Sequence, residues 1–414
     1  MATNNFLNTQ WVSLKVLRLL LNKLVVAEYF NRSWQKDFDK EFAPGSQITV
    51  KFPQRFKVTD GMGYEPQGIN RLQTQVNLDQ WMQVAFEWDD YEDAVKLERS
   101  EQELNDQYFE PAAAALAQDC DSRCAKWAYQ NASLTVGALG TDPTGVNTYY
   151  TARQRLEENA AGVLGKRCML ISSSMMTSLG SSITSIFNPP DEISRMFKEG
   201  VIGGLGGSMF YESQSLYSHT AGTWSGSVTV SGANQSGTAI TITATAGDTF
   251  NVGDKISFAN VNLVNPMTRR IPGKASPKVF TITKALTAVG GAGADTINIL
   301  PPIYGPDSQY QNVDALPANG AALTLWPGTT SPNGKVGTVG LNLTRQAFSI
   351  VGAKLYVPQA VEKAGAATDP DTGLSVRKVK AWDPVRSVQV NRMDSLFGLG
   401  NLYQDNGAVC VVGA

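Results

Sequence analysis

Cys120 and Cys124 stand four residues apart, a spacing that puts two thiols on one face of a helix. Such a pair is half of a tetrahedral zinc site, and zinc needs further Cys or His ligands to close it. The only histidine is His219, and Cys168 and Cys410 are scattered far along the chain. The pair therefore reads as two small packing residues and His219 as structural. GTTSPNGKV, Gly328 to Val336, looks like a phosphate-cradling loop. Its spacing is one residue too long, and Val336 stands where a Ser or Thr must hold magnesium. DPDTG, Asp369 to Gly373, is the first half of a calcium loop without the later acidic ligands. SWQK, Ser33 to Lys36, fits the nucleophile tetrapeptide SxxK, but its SDN and KTG companions are absent. With no HExxH either, the residues point to no catalytic centre, no cofactor and no metal.

Charge is the other source of chemistry. Arg269, Arg270, Lys274 and Lys278 cluster in a Pro/Gly-rich loop, where they are either solvated or set against an acidic neighbour. Arg377, Lys378 and Lys380 form a second basic run that could touch DNA phosphates without sequence preference. The formal net charge of −2 argues against a dedicated nucleic-acid binder. Only 17% of residues are charged, against the roughly 25% usual for soluble proteins. Some of the surface is therefore expected to be covered, most simply by other subunits. Four cysteines are too few for a disulfide framework, which points to reduced thiols in a cytoplasmic folding environment. The sequons at Asn31, Asn131, Asn234 and Asn342 carry little weight without a secretory signal. Lys15, Arg18 and Lys23 interrupt the apolar run Leu14 to Val26. That run reads as an amphipathic helix with Trp11, Leu14, Leu17, Leu21 and Leu24 on one face, not as a signal peptide or a membrane span.

The elements that must position these groups are of several kinds. QTQVNLDQWMQVAFEW, Gln73 to Trp88, alternates almost without a break, with Val76, Leu78, Gln80, Met82, Val84, Phe86 and Trp88 on one side. A strand of that length would run about 50 Å at roughly 3.3 Å per residue, well beyond the core of an ordinary domain. ITVKFPQRF, Ile48 to Phe56, alternates too, and Pro53 makes it an edge strand. The turn-rich Asp60 to Asn70 between them predicts a long hairpin. Its polar half is expected to project as a mobile arm, while Met82 to Trp88 anchors it. From Asp90 the period becomes helical: Leu97, Leu104, Tyr108, Ala112, Leu116, Cys120, Cys124 and Trp127 are spaced largely by three, four or seven. Pro111 either kinks one long helix or starts a second. TYYTARQRLEENA, SSSMMTSLGSSITSIF and EISRMFKEG predict helices, RCMLIS a short buried strand and VIGGLGGSMFYES a Gly-rich loop entering a strand. From Ser227 to about Thr330 the segments VTVSG, AITITAT, DKISFAN, KVFTITKA, DTINILP and AALTLWP read as a small all-β sandwich or barrel. Mixed sequence resumes after Gly334, so this block looks inserted into a larger α+β domain. SVQV and AVCVV are extended stretches of the final segment.

The order of these parts resembles the major capsid proteins of tailed bacteriophages. LNLTRQAFSIVGAKLYVP, Leu341 to Pro358, resembles a segment of that superfamily in which N-L-x-x-x-x-A-F runs on to L-x-x-P. VTVSGA, FNVGDKISFANVNLV and KVFTIT resemble the inserted β-domain of the coat proteins of short-tailed Salmonella phages. The resemblance implies an α+β fold with an N-terminal arm (1–45), an extended hairpin loop (46–89) and a peripheral-domain spine helix (90–139). It further implies an axial domain (140–225 and 331–374), an inserted all-β barrel (226–330) and peripheral C-terminal strands (375–414). It implies a non-enzymatic shell protein with many copies of itself, a scaffolding protein, a portal protein and packaged double-stranded DNA as partners, and no membrane. The hairpin tip, Asp60, Gly61, Met62, Gly63, Tyr64 and Glu65, would lie on a neighbouring subunit. In that family a long charged loop follows the VSGA-like strand and reaches the next capsomer. Here ANQSG, Ala233 to Gly237, leads almost straight into AITIT, so Arg269, Arg270 and Lys274 become the candidate substitute contact. A phage tail or surface β-rich adhesin, a cellular encapsulin and an enzyme are the alternatives: the first leaves the long helix and N-terminal arm unexplained, the inserted β-domain favours the viral shell over the second, and the third requires a clustered polar site that the sequence does not offer.

Overall fold

The computed structural model describes residues 17, 20, 24–33, 47–51, 54–59, 61–64, 66–69, 72–89, 108–160, 167–183, 204–205, 207–224, 226, 228–345, 347–357, 363–368, 374–402 and 409–412. The fold is α+β, with few helices and many strands. It divides into two units. The first takes Met1–Val50, Thr74–Cys124 and Ser349–Gly400, and the second takes Lys51–Gln73, Ala125–Phe348 and Asn401–Ala414. Helix α1 (Glu110–Asn131) contributes residues to each. Pro111 is its second residue, and the π-helical Tyr108 and Phe109 run directly into it, so the proline sits where the backbone passes from a π turn to regular α-helix. Trp11, Leu14, Leu21, Leu97, Leu104, the segment EISRMFKEG and DPDTG lie outside the described residues.

The first unit is organised by a six-stranded sheet in the order Gln47–Lys51, Gln73–Asp89, Val388–Asn401, Ser375–Asp383, Lys363–Thr368, with Phe348–Ala353 also pairing Val388–Asn401. The strand Gln47–Lys51 lies at the edge, as expected, but it is shorter than the alternating run to Phe56, since Gln54, Arg55 and Phe56 are not in a strand and Pro53 lies outside the described residues. Along Gln73–Asp89 the alternation holds: Val76 and Met82 are buried, Leu78, Val84 and Phe86 half-buried, and Gln75, Asn77, Asp79, Trp81, Gln83, Ala85 and Glu87 exposed. The long strand is not a free arm, however. It pairs antiparallel with Val388–Asn401 from Asn77↔Leu399 to Asp89↔Val388, so a partner of matching length gives it its reach. Gly398 allows the approach: a Cβ there would come within 2.3 Å of the Asn77 carbonyl oxygen. Phe86 stacks on Tyr108 and meets Phe109 edge-on at 5.6 Å. On α1, Asp121 is buried and accepts the backbone N–H groups of Val25 (2.7 Å) and Ala27 (2.9 Å), which fixes the N-terminal segment. Its burial raises the carboxyl pKa above the ordinary range, and those N–H bonds oppose the rise. Cys120 and Cys124 are free buried thiols one turn apart, and burial raises the Cys124 pKa further than the neighbouring sulfur does.

Among the described residues the second unit holds two large sheets and a two-stranded one, Thr249–Phe250 with Leu286–Thr287. One large sheet is mixed, in the order Leu134–Val136, Val409–Val412, Val336–Thr344, Arg167–Ile171, Ser208–Glu212, Gly204–Leu205, and Ser218–Thr220 also pairs Val336–Thr344. Arg167–Ile171 is buried throughout and runs parallel to Ser208–Glu212, as a continuous apolar strand should. Helices α2 (Val146–Glu158) and α3 (Ser173–Ile183) share a core with this sheet through Tyr149, Ala152, Leu156, Met175 and Leu179. Val409–Val412 pairs parallel with Leu134–Val136. AVCVV is therefore a strand of this sheet, not of the set that begins at Ser375, because its two neighbours are Leu134–Val136 and Val336–Thr344.

The other sheet takes all six segments read as strands in the Thr/Gly-rich block, in the order Leu323–Leu325, Lys255–Asn262, Pro277–Ile282, Gly291–Ile303, Gly237–Ala244, Thr229–Val230. Its two ends meet: Thr229 bridges Ala322, and the N–H groups of Leu323 and Val230 donate to the carbonyls of Val228 and Ala321. Its core includes Val230, Ile240, Ile242, Ile256, Phe258, Phe280, Ile297 and Ile299, together with Ala221 and Trp224 from just before the block. Trp224 is fully buried and stacks on Phe250 at 4.9 Å.

Candidate subunit-contact loop and a buried polar junction

The turn-rich segment between the strands Gln47–Lys51 and Gln73–Asp89 presents an apolar surface to solvent. Phe56, Val58, Met62, Tyr64 and Ile69 each expose at least 65% of their area. Gly61 and Gly63 are exposed with them, while Asp60 and Glu65 lie outside the described residues. Large side chains of this kind are normally withdrawn from water, and a contiguous exposed set marks a surface that meets another molecule.

The base of this loop is polar and tied down. Gln54 Nε2 donates to Gln309 Oε1 at 3.0 Å and Gln309 Nε2 donates to the Gly68 carbonyl at 3.0 Å. The Tyr310 hydroxyl reaches Gln54 Oε1 at 3.3 Å. Higher in the loop, Gln67 Oε1 accepts the Lys57 N–H at 2.7 Å, and its amide nitrogen donates back to the Lys57 carbonyl. Primary amides suit this task, because each offers donors and an acceptor to opposite sides. These bonds tie the base of the segment, Gln54 and Gly68, to Gln309 and Tyr310.

The candidate basic contacts fare differently from one another. Arg269 is half-buried and donates to the carbonyls of Pro306 (3.1 Å) and Ser308 (2.7 Å) and to Gln311 Oε1 (3.3 Å). Its guanidinium organises its own loop. Arg270 and Lys274 are exposed, and Lys278 is buried. In the first unit, Arg377 pairs with Asp394, donates to the Tyr356 carbonyl at 2.9 Å and lies over the Trp81 ring. Lys378 is buried with its ammonium 3.7 Å from the centre of the Phe109 ring. Neighbouring strand residues face opposite sides, so the run could not present one continuous basic surface. Lys380 alone of the three is left half-exposed without a described ion pair.

Sequence reasoning passed over a buried polar junction in the second unit. His219 Nε2 donates to Asp254 Oδ1 at 2.8 Å. The same carboxylate accepts the N–H groups of Gly222 (3.1 Å) and Asn251 (2.8 Å) at Oδ2. Next to it, the Lys255 ammonium is held by the Tyr129 and Ala132 carbonyls at the end of α1 and by Thr281 Oγ1 at 2.9 Å. A cation there answers both the unpaired carbonyls and the negative end of the helix dipole. Gly253 makes the fit possible, since it has φ +102° and a Cβ on it would lie 2.9 Å from Tyr129 Cε1. The signal was DKIS, an adjacent acid and base opening a strand, but their partners lie 35 and 126 residues away. The junction's contacts tie the end of α1 to the strands Ser218–Thr220, Lys255–Asn262 and Pro277–Ile282. Among the described residues no group of three or more His, Cys, Asp or Glu could hold a metal ion, and no helix is long and apolar enough to cross a membrane.

Residues 1–403 match the family model described as P22 coat protein, gene protein 5. No curated protein matches the chain. Among solved structures, a chain of Mycobacterium phage Che8 is 14% identical with a TM-score of 0.48, the match covering 94% of this chain and 90% of that one. A chain from the capsid of the cyanophage P-SCSP1u is 12% identical with a TM-score of 0.42, covering 90% and 85%. A chain from the capsid of Ralstonia phage GP4 is 8% identical with a TM-score of 0.44, covering 89% and 83%.

Proposed function

This chain belongs to the P22 coat protein family and is the major capsid protein of a tailed phage, and from that premise we propose that copies of it join through the exposed loop around Met62 and Tyr64 to close an icosahedral shell around double-stranded DNA. Its role is structural, and its place is the virion capsid. The observation that carries the reading is the contrast within the loop. Five large apolar side chains stand in solvent above a base fixed by amides. Such a loop is pre-positioned, so a neighbouring copy that covers it recovers apolar burial with little ordering cost.

In this reading Gly61, Met62, Gly63 and Tyr64, with Asp60 and Glu65 beside them, meet the next subunit. Arg270 and Lys274 supply the charged contact between copies, and Lys380 is the residue left to face DNA phosphates. The six strands between Thr229 and Leu325 form the inserted all-β domain, supported by a core of their own. Family membership supports a scaffolding protein and a portal as assembly partners and the host cytoplasm as the place of assembly. The test replaces Gly61 to Ile69 with a two-residue turn. The expected result is a folded, soluble subunit that gives no closed shells of normal size in electron micrographs. Normal shells from that variant would mean that the loop does not do the joining.

A further inference from the structure

Three buried polar atoms converge on one small cavity at the junction. The cavity is lined by Thr135, His219 and Trp326, by the aliphatic walls of Leu139 and Leu325, and by Lys255. The centre of a water-sized sphere can move within about 10 Å³ of it, which is about the minimum that one water molecule requires. Thr135 Oγ1, His219 Nδ1 and Trp326 Nε1 are each buried and have no protein partner. Thr135 and His219 are almost wholly shielded, at 3% and 1% exposure. An unpaired polar group in such a place is costly, so three around one cavity call for a common partner.

Their chemistry states what that partner must be. With His219 Nε2 donating to the Asp254 carboxylate, Nδ1 of the neutral imidazole is an acceptor. The Trp326 indole can only donate, and the Thr135 hydroxyl can do either. The nearby cation is spent, because the three hydrogens of Lys255 Nζ already meet two carbonyls and a hydroxyl. An anion would therefore find no free charge, and a cation would meet the indole N–H. We propose that the cavity binds one ordered water molecule, which accepts from Trp326 Nε1, donates to His219 Nδ1 and shares a hydrogen bond with Thr135. The water joins the strand Leu134–Val136, the strand Ser218–Thr220 and the turn after Leu325, and so completes the polar joint between the two large sheets of the second unit. The proposal is independent of the contact assigned to the exposed loop.

A density map of the assembled wild-type shell, at a resolution where other buried waters are visible, tests it directly. The expected result is a single peak within hydrogen-bond distance of all three atoms, lost in a Thr135→Val, Trp326→Phe variant. No peak in the wild type, or the three side chains rotated into direct pairs, would overturn it. A second reading uses urea unfolding of the purified subunit. Thr135→Val has nearly the shape of the native side chain, and it should lower the folding equilibrium constant on the order of five- to tenfold if a water bonds there. An unchanged or larger constant would mean that the cavity is dry.

Discussion

Asp254 holds His219 through one carboxylate oxygen and two backbone N–H groups through the other, so a single side chain fixes the entry to the strand Lys255–Asn262 and the strand that leads to Trp224. Asp254→Ala would strand three buried donors. The subunit should lose about 3 kcal/mol or more, at roughly 1–3 kcal/mol for each unsatisfied group. Asp254→Asn, which keeps one acceptor, should lose less. Urea midpoints of the two variants check the order, and equal losses would show that the acceptor geometry is not what matters.

Asp121 sets a pH dependence of definite sign. Burial raises its folded pKa above the unfolded value, so between the two values the folded state binds more protons. Its contribution is most favourable below the unfolded pKa and is lost as pH rises through the raised folded value. Asp121→Asn should flatten that part of the profile. Unfolding midpoints across the mildly acidic range, compared between wild type and variant, measure it, and parallel profiles would contradict it.

The two adjacent arginines of the basic loop should separate cleanly. Arg269→Ala removes three donors' worth of bonds to Pro306, Ser308 and Gln311 and should lower the melting temperature of the subunit. Arg270→Ala touches an exposed residue and should change it little, since surface charges contribute about 0–1 kcal/mol. Its effect should instead be on the salt tolerance of shells. Equal melting shifts for the two would refute the division.

The β block should fold alone, and its boundary is measurable. Residues 226–330 omit Trp224, whose indole is buried against Phe250 in the core of that sheet. A fragment begun at Thr220 should therefore melt cooperatively at a higher temperature than one begun at Gly226, because burying a side chain of that size is worth several kcal/mol. Coincident transitions would place Trp224 outside the cooperative core.

The amide bonds at the base of the loop should control local opening more than global stability. Gln309→Ala breaks two bonds in a part-buried setting, worth about 0.5–1.5 kcal/mol each. Cleavage by a protease within 54–69 should accelerate severalfold, with the urea midpoint nearly unchanged. Unaltered cleavage would show that the loop is held elsewhere.

Periodic features were legible in the sequence. The two-residue alternation of Gln73–Trp88 and the six short strands of the Thr/Gly-rich block needed only local information, and the structure places each as a strand. What depended on distant partners was not legible. Nothing near Gln73 says that Val388–Asn401 lies beside it, and so the strand was expected to project. Arg269 looked like a free surface charge because its acceptors, the carbonyls of Pro306 and Ser308, belong to a loop almost forty residues on. Lys378 was a different kind of miss, for the alternation around it already assigned it to the face opposite Arg377.

The placement of Val409–Val412 between Leu134–Val136 and Val336–Thr344 bears on the order of events during synthesis. A ribosome has to reach residue 412 before the mixed sheet can gain the strand that links those two. The six strands of the sheet from Thr229 to Leu325 draw their core from residues up to Leu325, Ala221 and Trp224 included, so they can be complete while the last 90 or so residues are still being made. The half-built sheet meanwhile presents two unpaired edges to a crowded cell, separated by a gap one strand wide. By then the β block can already be folded, so the closing strand is the last piece of the second unit to arrive.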